Sequence, residues 1–192
     1  MSSATPTDNR SRVAIRRGLP HESHQLADLI WRVREQNADS IPASVHPLDD
    51  MRAWMRDVVL KDYEVWVAEA TGGSASPADG APANSSVGCD VAGKSIGPAP
   101  VGLMVLRQPD WIEHLYIEPE YTGQGLGASF LEVARRELTG AHIQLWTFQS
   151  NRGAGRFYER HGFIAVQRTD GENEERVPDV RYQWMRPSPR GT

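Results

Sequence analysis

Apolar residues recur along this chain with two spacings. In "PHESHQLADLIWRVREQ", which begins at Pro20, Leu26, Leu29, Ile30 and Val33 fall at i, i+3, i+4 and i+7, the stripe of an amphipathic helix. Pro47 suits the first turn of a second helix, with Leu48, Met51, Met55, Val58 and Val59 on one face. Short runs rich in β-branched and aromatic residues predict strands: "VAIRR" (13–17), "EVWVAEA" (64–70), "VGLMVLRQ" (101–108), "WIEHLYI" (111–117) and "HIQLWTF" (142–148). A helix runs from a glycine turn to about Leu138, and another from about Asn151 to His161, where Gly162 is placed to stop it. "FIAVQRT" from Phe163 and "DVRYQWMR" (179–186) complete the set. The order β-α-α-β-β-β-α-β-α-β-β predicts an α/β (α+β) domain, a mixed sheet with helices on both faces.

Two segments carry no such pattern. Residues 1–11 are polar and rich in Ser and Thr, and residues 71–100 are dominated by Gly, Ala, Ser and Pro. With so little apolar surface to offset ordering entropy, the second reads as a long flexible loop inserted into a hairpin. Residues 187–192 read as a short C-terminal tail.

The 192 residues suffice for one domain with a sizeable core. A net charge of -4 argues against general nucleic-acid binding, which leaves a basic footprint. The single cysteine, Cys89, excludes a disulfide framework or a cysteine-based zinc site. His21 and His24, spaced i, i+3, lack the acidic partners of a metal site beyond Glu22 and read as solvated, so no metal is expected. No apolar run is long enough to cross a membrane, and the N-terminus lacks the apolar region of a secretory signal. A cytoplasmic globular protein is the expectation. A homodimer is not derivable from the residues.

"EYTGQGLGASFLEVARREL" (120–138) carries the main chemical signal. Gly123, Gly125 and Gly127 run directly into an amphipathic helix, and a helix N-terminus with bare amides is a ready site for phosphate. Gly123, Gly125 and Ala128 formally fit the dinucleotide fingerprint. That pattern wants a carboxylate ending the next strand, and here Phe148, Gln149 and Ser150 stand there. The G-K-[ST] of a P-loop is absent.

Residues 115–128, "LYIEPEYTGQGLGA", resemble the acyl-CoA pyrophosphate turn of the GCN5-related N-acetyltransferases (GNAT superfamily). Downstream, "NRGAGRFYERHGF" (151–163) resembles that family's second signature, N-x-x-A-x-x-F-Y-x-x-x-G-F. The resemblance spans about residues 12–186 apart from the insertion, and it implies a mostly antiparallel central sheet. It implies acetyl-CoA as acyl donor, with the pyrophosphate on the amides of Gly123, Gln124, Gly125, Leu126, Gly127 and Ala128. It further implies that Leu115, Tyr116 and Ile117 lend backbone groups to the pantetheine and the thioester carbonyl, and that Asn151 and Tyr158 meet the same arm. One departure is Thr122, which stands where the family usually has Arg or Gln.

The implied reaction is direct attack by an amine in a ternary complex, with no acyl-enzyme. A lysine-like amine is neutral in only about one molecule per thousand at pH 7.4, so a proton must be removed. Tyr158 matches the family's tyrosine beside the thioester sulfur and is the expected acid for the thiolate. Glu113, in alternation with Leu115 and Ile117, is expected to point to the buried, cofactor-facing side as the base, directly or through water. His114 points the other way, and the position where some relatives carry a glutamate is Trp146. The acceptor is an amine-bearing small molecule or protein. The acidic run "TDGENEERVPDV" (169–180), with Asp170, Glu172, Glu174, Glu175 and Asp179, reads first as a solvated loop and second as an attractor for a cationic acceptor. Trp146 and Trp184 are expected to pack the sheet, and Trp31 and Trp54 are candidates for the acceptor wall. A non-catalytic acyl-CoA sensor of the same fold is the alternative reading.

Overall fold

Seven strands form one sheet in the order β1-β2-β3-β4-β5-β7-β6. They are β1 (Arg12–Arg17), β2 (Glu64–Thr71), β3 (Pro100–Arg107), β4 (Trp111–Ile117), β5 (His142–Phe148), β6 (Ile164–Thr169) and β7 (Asp179–Met185). The structure is a computed structural model and describes residues 12–71 and 99–187. The two tails, most of the inserted loop, and Cys89 lie outside the described residues. All neighbouring strands pair antiparallel except β4 and β5, which are parallel and register at a single position, Trp111 with Gln144.

β3 explains why both faces are covered. Its side chains are buried on both sides, so it reads as an unbroken apolar run. Leu103 and Val105 face one core, shared with Leu26, Leu29, Ile30 and Val33 of α1 (Ser23–Gln36) and Met51 of α2 (Leu48–Trp54). Val101, Met104 and Leu106 face the other, under Phe130, Leu131 and Ala134 of α4 (Leu126–Glu137) and Tyr158 of α5 (Arg152–Arg160). Fully burying a side chain such as Phe130 is worth about 1.5–3 kcal/mol. The expected mixed, mostly antiparallel sheet with helices on both faces is the observed one.

The second helix departs from a plain α-helix. After Trp54 it widens into a π-helical stretch, Met55–Val59, and ends in the short α3 (Leu60–Asp62). The wider turn brings Met51, Met55 and Val59, each four residues apart, onto the core in line. Leu48 and Val58, expected on that face, are only partly buried. Such π insertions recur at functional sites, and here the stretch directly follows an aromatic residue that lines a cavity.

β4 also departs from strict alternation. The register with β3 slips between Val105 and Leu106, so that His114 opposes Val105 while Ile112 opposes Leu106. Glu113 is the extra residue of a β-bulge.

Candidate active site

β4 and β5 share one registered position and then diverge toward their C-terminal ends. The cleft between them is lined on one side by Glu113, His114, Leu115 and Tyr116, and on the other by Leu145 to Phe148. Asn151, Ala154 and Tyr158 of the α5 segment close it. Thus Leu115, Tyr116, Asn151 and Tyr158 stand together, while Ile117, one residue further along β4, packs into the core beneath α4. Asn151 Oδ1 also accepts from the Ala154 amide at 3.0 Å, capping α5.

At the end of β4, Pro119–Tyr121 makes one 3-10 turn and delivers the chain to the glycines. Gly123 has φ +73° and Gly125 φ +88°, in the left-handed region that glycine tolerates, and nothing lies within 4 Å of either Cβ position. Gly125 is the N-cap of α4, and no side chain caps that end. Among the described residues, the amides of Gly123 to Ala128 find no backbone acceptor. This leaves a row of N–H groups at the positive end of a helix dipole, an arrangement suited to an anion. Thr122, at the family's Arg or Gln position, turns its hydroxyl away to the Pro119 carbonyl at 2.7 Å.

Gly127 differs from its two neighbours. A Cβ there would lie 2.8 Å from Phe157 Cζ, so this glycine lets α4 and α5 approach.

Tyr158 is buried and packed against Phe157, Phe163 and Tyr182. Burial, with a smaller push from Tyr116, raises its phenol well above the ordinary tyrosine range. Tyr116 is raised by burial too, against the opposing pull of the Arg34 guanidinium.

Glu113 does not occupy the expected position. The bulge gives the core-facing place to Ile112, which is buried with Leu115 and Ile117 packed near it. The Glu113 carboxylate is ion-paired with the guanidinium of Arg107 at the cleft's edge. It is nonetheless, among the described residues, the one carboxylate that lines the cleft. His114, on the opposite face as expected, stacks on Tyr116 and meets Trp54 edge-on at 5.3 Å between centroids. Burial dominates its titration and lowers it to about 4, so the imidazole is neutral at pH 7.

Across the sheet lies a second cavity, of about 420 Å³. Ile30, Met51, Trp54, His114 and Tyr116 form its apolar and aromatic walls. Asp50, Glu174 and Glu175 supply carboxylates, so part of the acidic run does more than face solvent. Glu175 is paired with Arg34 at 2.7 Å and Glu174 with His46 at 3.0 Å, tying the 170–178 loop to α1 and to the segment that follows it. Asp179, the first residue of β7, is turned inward and accepts from Asn173 and Thr169. Two residues, His114 and Tyr116, line both this cavity and the β4–β5 cleft.

Of the tryptophans, Trp54 lines the second cavity, while Trp31 packs on the α1 core and donates to Glu35. Trp184 packs on the α4 core with Arg135 over its ring. Trp146, expected to pack the sheet, is 39% exposed with Arg181 over its ring, because α1 and α2 cover β2 to β4 and stop short of β5. His21 and His24 are exposed.

A family model described as "Acetyltransferase (GNAT) domain" matches residues 61–165, more than half of the chain. The chain belongs to the GNAT acetyltransferase family. Structural similarity agrees with this. Apo YjaB from Escherichia coli is 20% identical with a TM-score of 0.59, covering 90% of this chain and 97% of that one. A GCN5-related N-acetyltransferase from Rhodopseudomonas palustris is 19% identical with a TM-score of 0.59, covering 96% and 98%. YncA from Salmonella typhimurium, solved with its cofactor acetyl-CoA, is 16% identical with a TM-score of 0.58, covering 95% and 100%. At these identities the likeness concerns the GNAT fold. No curated protein matches the chain. Among the described residues, no helix is long and apolar enough to cross a membrane.

Proposed function

We propose that this GNAT protein is an acetyl-CoA-dependent N-acetyltransferase that acetylates a primary amine by direct attack, with donor and acceptor bound together. The observation that carries this reading is that the residues His114 and Tyr116 line both the β4–β5 cleft and the acidic, aromatic cavity. A donor in the cleft and an amine in the cavity would meet at these two residues.

The chain's groups fit such a donor. The open amides from Gly123 to Ala128, including those of Gln124 and Leu126, would hold its pyrophosphate. Backbone groups of Leu115, Tyr116 and Ile117, with the Asn151 side chain, would hold the pantetheine arm and the thioester carbonyl. The donor supplies an activated acetyl group. A nitrogen–carbon bond then forms as the carbon–sulfur bond breaks, and the amine must lose a proton.

Each side chain then has a distinct task. Tyr158 keeps its proton, because burial opposes the phenolate, and donates from Oη to the departing sulfur. The amine's proton passes His114, neutral and lining both cavities, to Glu113, the cleft's carboxylate, held by Arg107. Asp50, Glu174 and Glu175, set against the one guanidinium of Arg34, leave the acceptor cavity a net negative field that favours cationic amines.

The test is thiol release from acetyl-CoA with a panel of primary amines, including diamines and peptides. Steady release on at least one amine is expected. Tight CoA binding without release on any amine would leave an acyl-CoA-binding module instead.

A further inference from the structure

A third cavity, of about 350 Å³, has no part in the reaction described above. It lies between α5 and the strands β5, β6 and β7. Arg152 and Arg156, one helical turn apart on α5, line it from one side, and Arg168 of β6 lines it from the other. Phe157, which meets Gly127, points away from this face of the helix toward α4.

The charge here is unlike the rest of the molecule. The chain as a whole carries -4, yet this cavity sets three guanidiniums against one carboxylate, Glu159. That carboxylate is already engaged by the Tyr182 hydroxyl at 2.9 Å. Several arginines elsewhere are matched to acceptors, although among the described residues Arg160 and Arg176, which lie apart from one another on α5 and the 170–178 loop, are not. Arg16 holds Glu22, Arg32 holds Glu118, Arg34 holds Glu175, and Arg186 holds the carbonyls of Arg135, Leu138 and Gly140. Among the described residues, Arg152, Arg156 and Arg168 have no carboxylate within ion-pair distance and no side-chain hydrogen bond, and all three line this one cavity.

The floor is kept open by a small residue. A Cβ on Gly155 would lie 3.0 Å from Tyr182 Oη, so any larger side chain would press on the buried tyrosine that forms the base of the cavity. Arg168 is close enough to Tyr182 for its charge to oppose the rise that burial and Glu159 impose on the phenol. Three guanidiniums arranged around a recess that holds one carboxylate match the planar, multidentate oxygens of phosphate or carboxylate groups.

We propose that this recess is a second anion site, separate from the glycine turn, and that it takes a small polyanion bearing phosphate or carboxylate groups. The cavity shares Thr147, Phe148 and Asn151 with the β4–β5 cleft, so an occupant would lie against the residues at the cleft's α5 end.

The experiment is calorimetric titration of the full chain, saturated with CoA, with inorganic pyrophosphate in one arm and citrate in the other. The two arms distinguish phosphate from carboxylate chemistry. Saturable one-to-one binding of at least one anion is expected. Arg156→Ala and Arg168→Ala should each weaken it by roughly tenfold or more, while Arg168→Lys retains most of the affinity. Arg160→Ala, whose side chain is outside the cavity, should leave the affinity unchanged. Absence of saturable binding at millimolar concentrations of both anions would overturn the proposal. So would equal weakening by Arg160→Ala, which would signal only a diffuse charge effect. Because the readout rests on Arg156 and Arg168, it discriminates whether or not CoA occupies the glycine turn.

Discussion

Gly127 and Phe157 are in contact where α4 and α5 converge, the first at the start of one helix and the second in the middle of the other. A Cβ on Gly127 would come within 2.8 Å of Cζ and 3.0 Å of Cε2 of the Phe157 ring. The three glycines of the turn therefore have different tasks: Gly123 and Gly125 supply backbone conformation, whereas Gly127 supplies close packing.

Gly127→Ala tests the packing role. Replacing glycine by alanine inside a helix usually gains about 0.5–1 kcal/mol. Overpacking against a ring typically costs about 1–3 kcal/mol, so the net change should be destabilising. Urea unfolding should show a lower midpoint. Adding Phe157→Leu, which removes the ring, should make the Gly127→Ala change smaller or reverse its sign in a double-mutant cycle.

Gly125→Ala tests the conformational role. The site has open space around it, so the cost is backbone strain at φ +88°, about 1–2 kcal/mol. A bulky residue there, such as Gly125→Leu, should add little further destabilisation but remove CoA binding, since it would cover the open amides. Calorimetry beside thermal unfolding separates the two effects. Retained CoA affinity would mean the phosphate lies elsewhere.

The strands and the long helices were legible from periodicity, since one buried face at spacing 2 or 3.6 leaves a mark within the segment itself. The turn from Gly123 and the run from Asn151 were legible as paired motifs. Features that depend on a neighbouring element were not. The bulge at Glu113 exists only relative to β3, so alternation along β4 alone gave Glu113 the buried place that Ile112 takes. The π stretch after Trp54 differs from an α-helix by a small widening, which an apolar pattern over Met55–Val59 cannot distinguish. Trp146 alternates correctly with Leu145, but whether its face is covered depends on how far α1 and α2 reach across the sheet. The His114–Trp54 contact joins residues far apart in the chain, and its signal in the sequence was limited to two candidate side chains on separate elements.

Tyr158→Phe should lower turnover by roughly a hundredfold or more while leaving the acetyl-CoA Kd within about twofold. The ring packing against Phe163 and Tyr182 survives this change, and only the hydroxyl is lost. Thiol-release kinetics and calorimetry on the same preparation measure both quantities. An unchanged rate would remove Tyr158 from the chemistry.

His114 makes a pH-dependent contribution whose sign follows from its burial. Its folded value is lowered to about 4, while an unfolded histidine titrates near 6.5. Burial is the largest cause, Arg34 acts in the same direction, and the opposing charges of Glu113 and Glu175 are outweighed. A lowered histidine means the unfolded chain binds the proton first, so the contribution is fully present above about pH 6.5 and is lost as pH falls toward 4. The loss is at most about 3 kcal/mol from this one group. Urea unfolding of the native chain between pH 7.5 and 4.5 should therefore show stability falling with acidity. His114→Phe, which keeps an aromatic ring against Trp54 and Tyr116 but cannot take a proton, should flatten that slope. The carboxylates titrate in both proteins, so the difference between the two profiles isolates the imidazole. Identical slopes would mean that His114 titrates as a solvated histidine, and it would then be a poor choice for the neutral group between donor and acceptor.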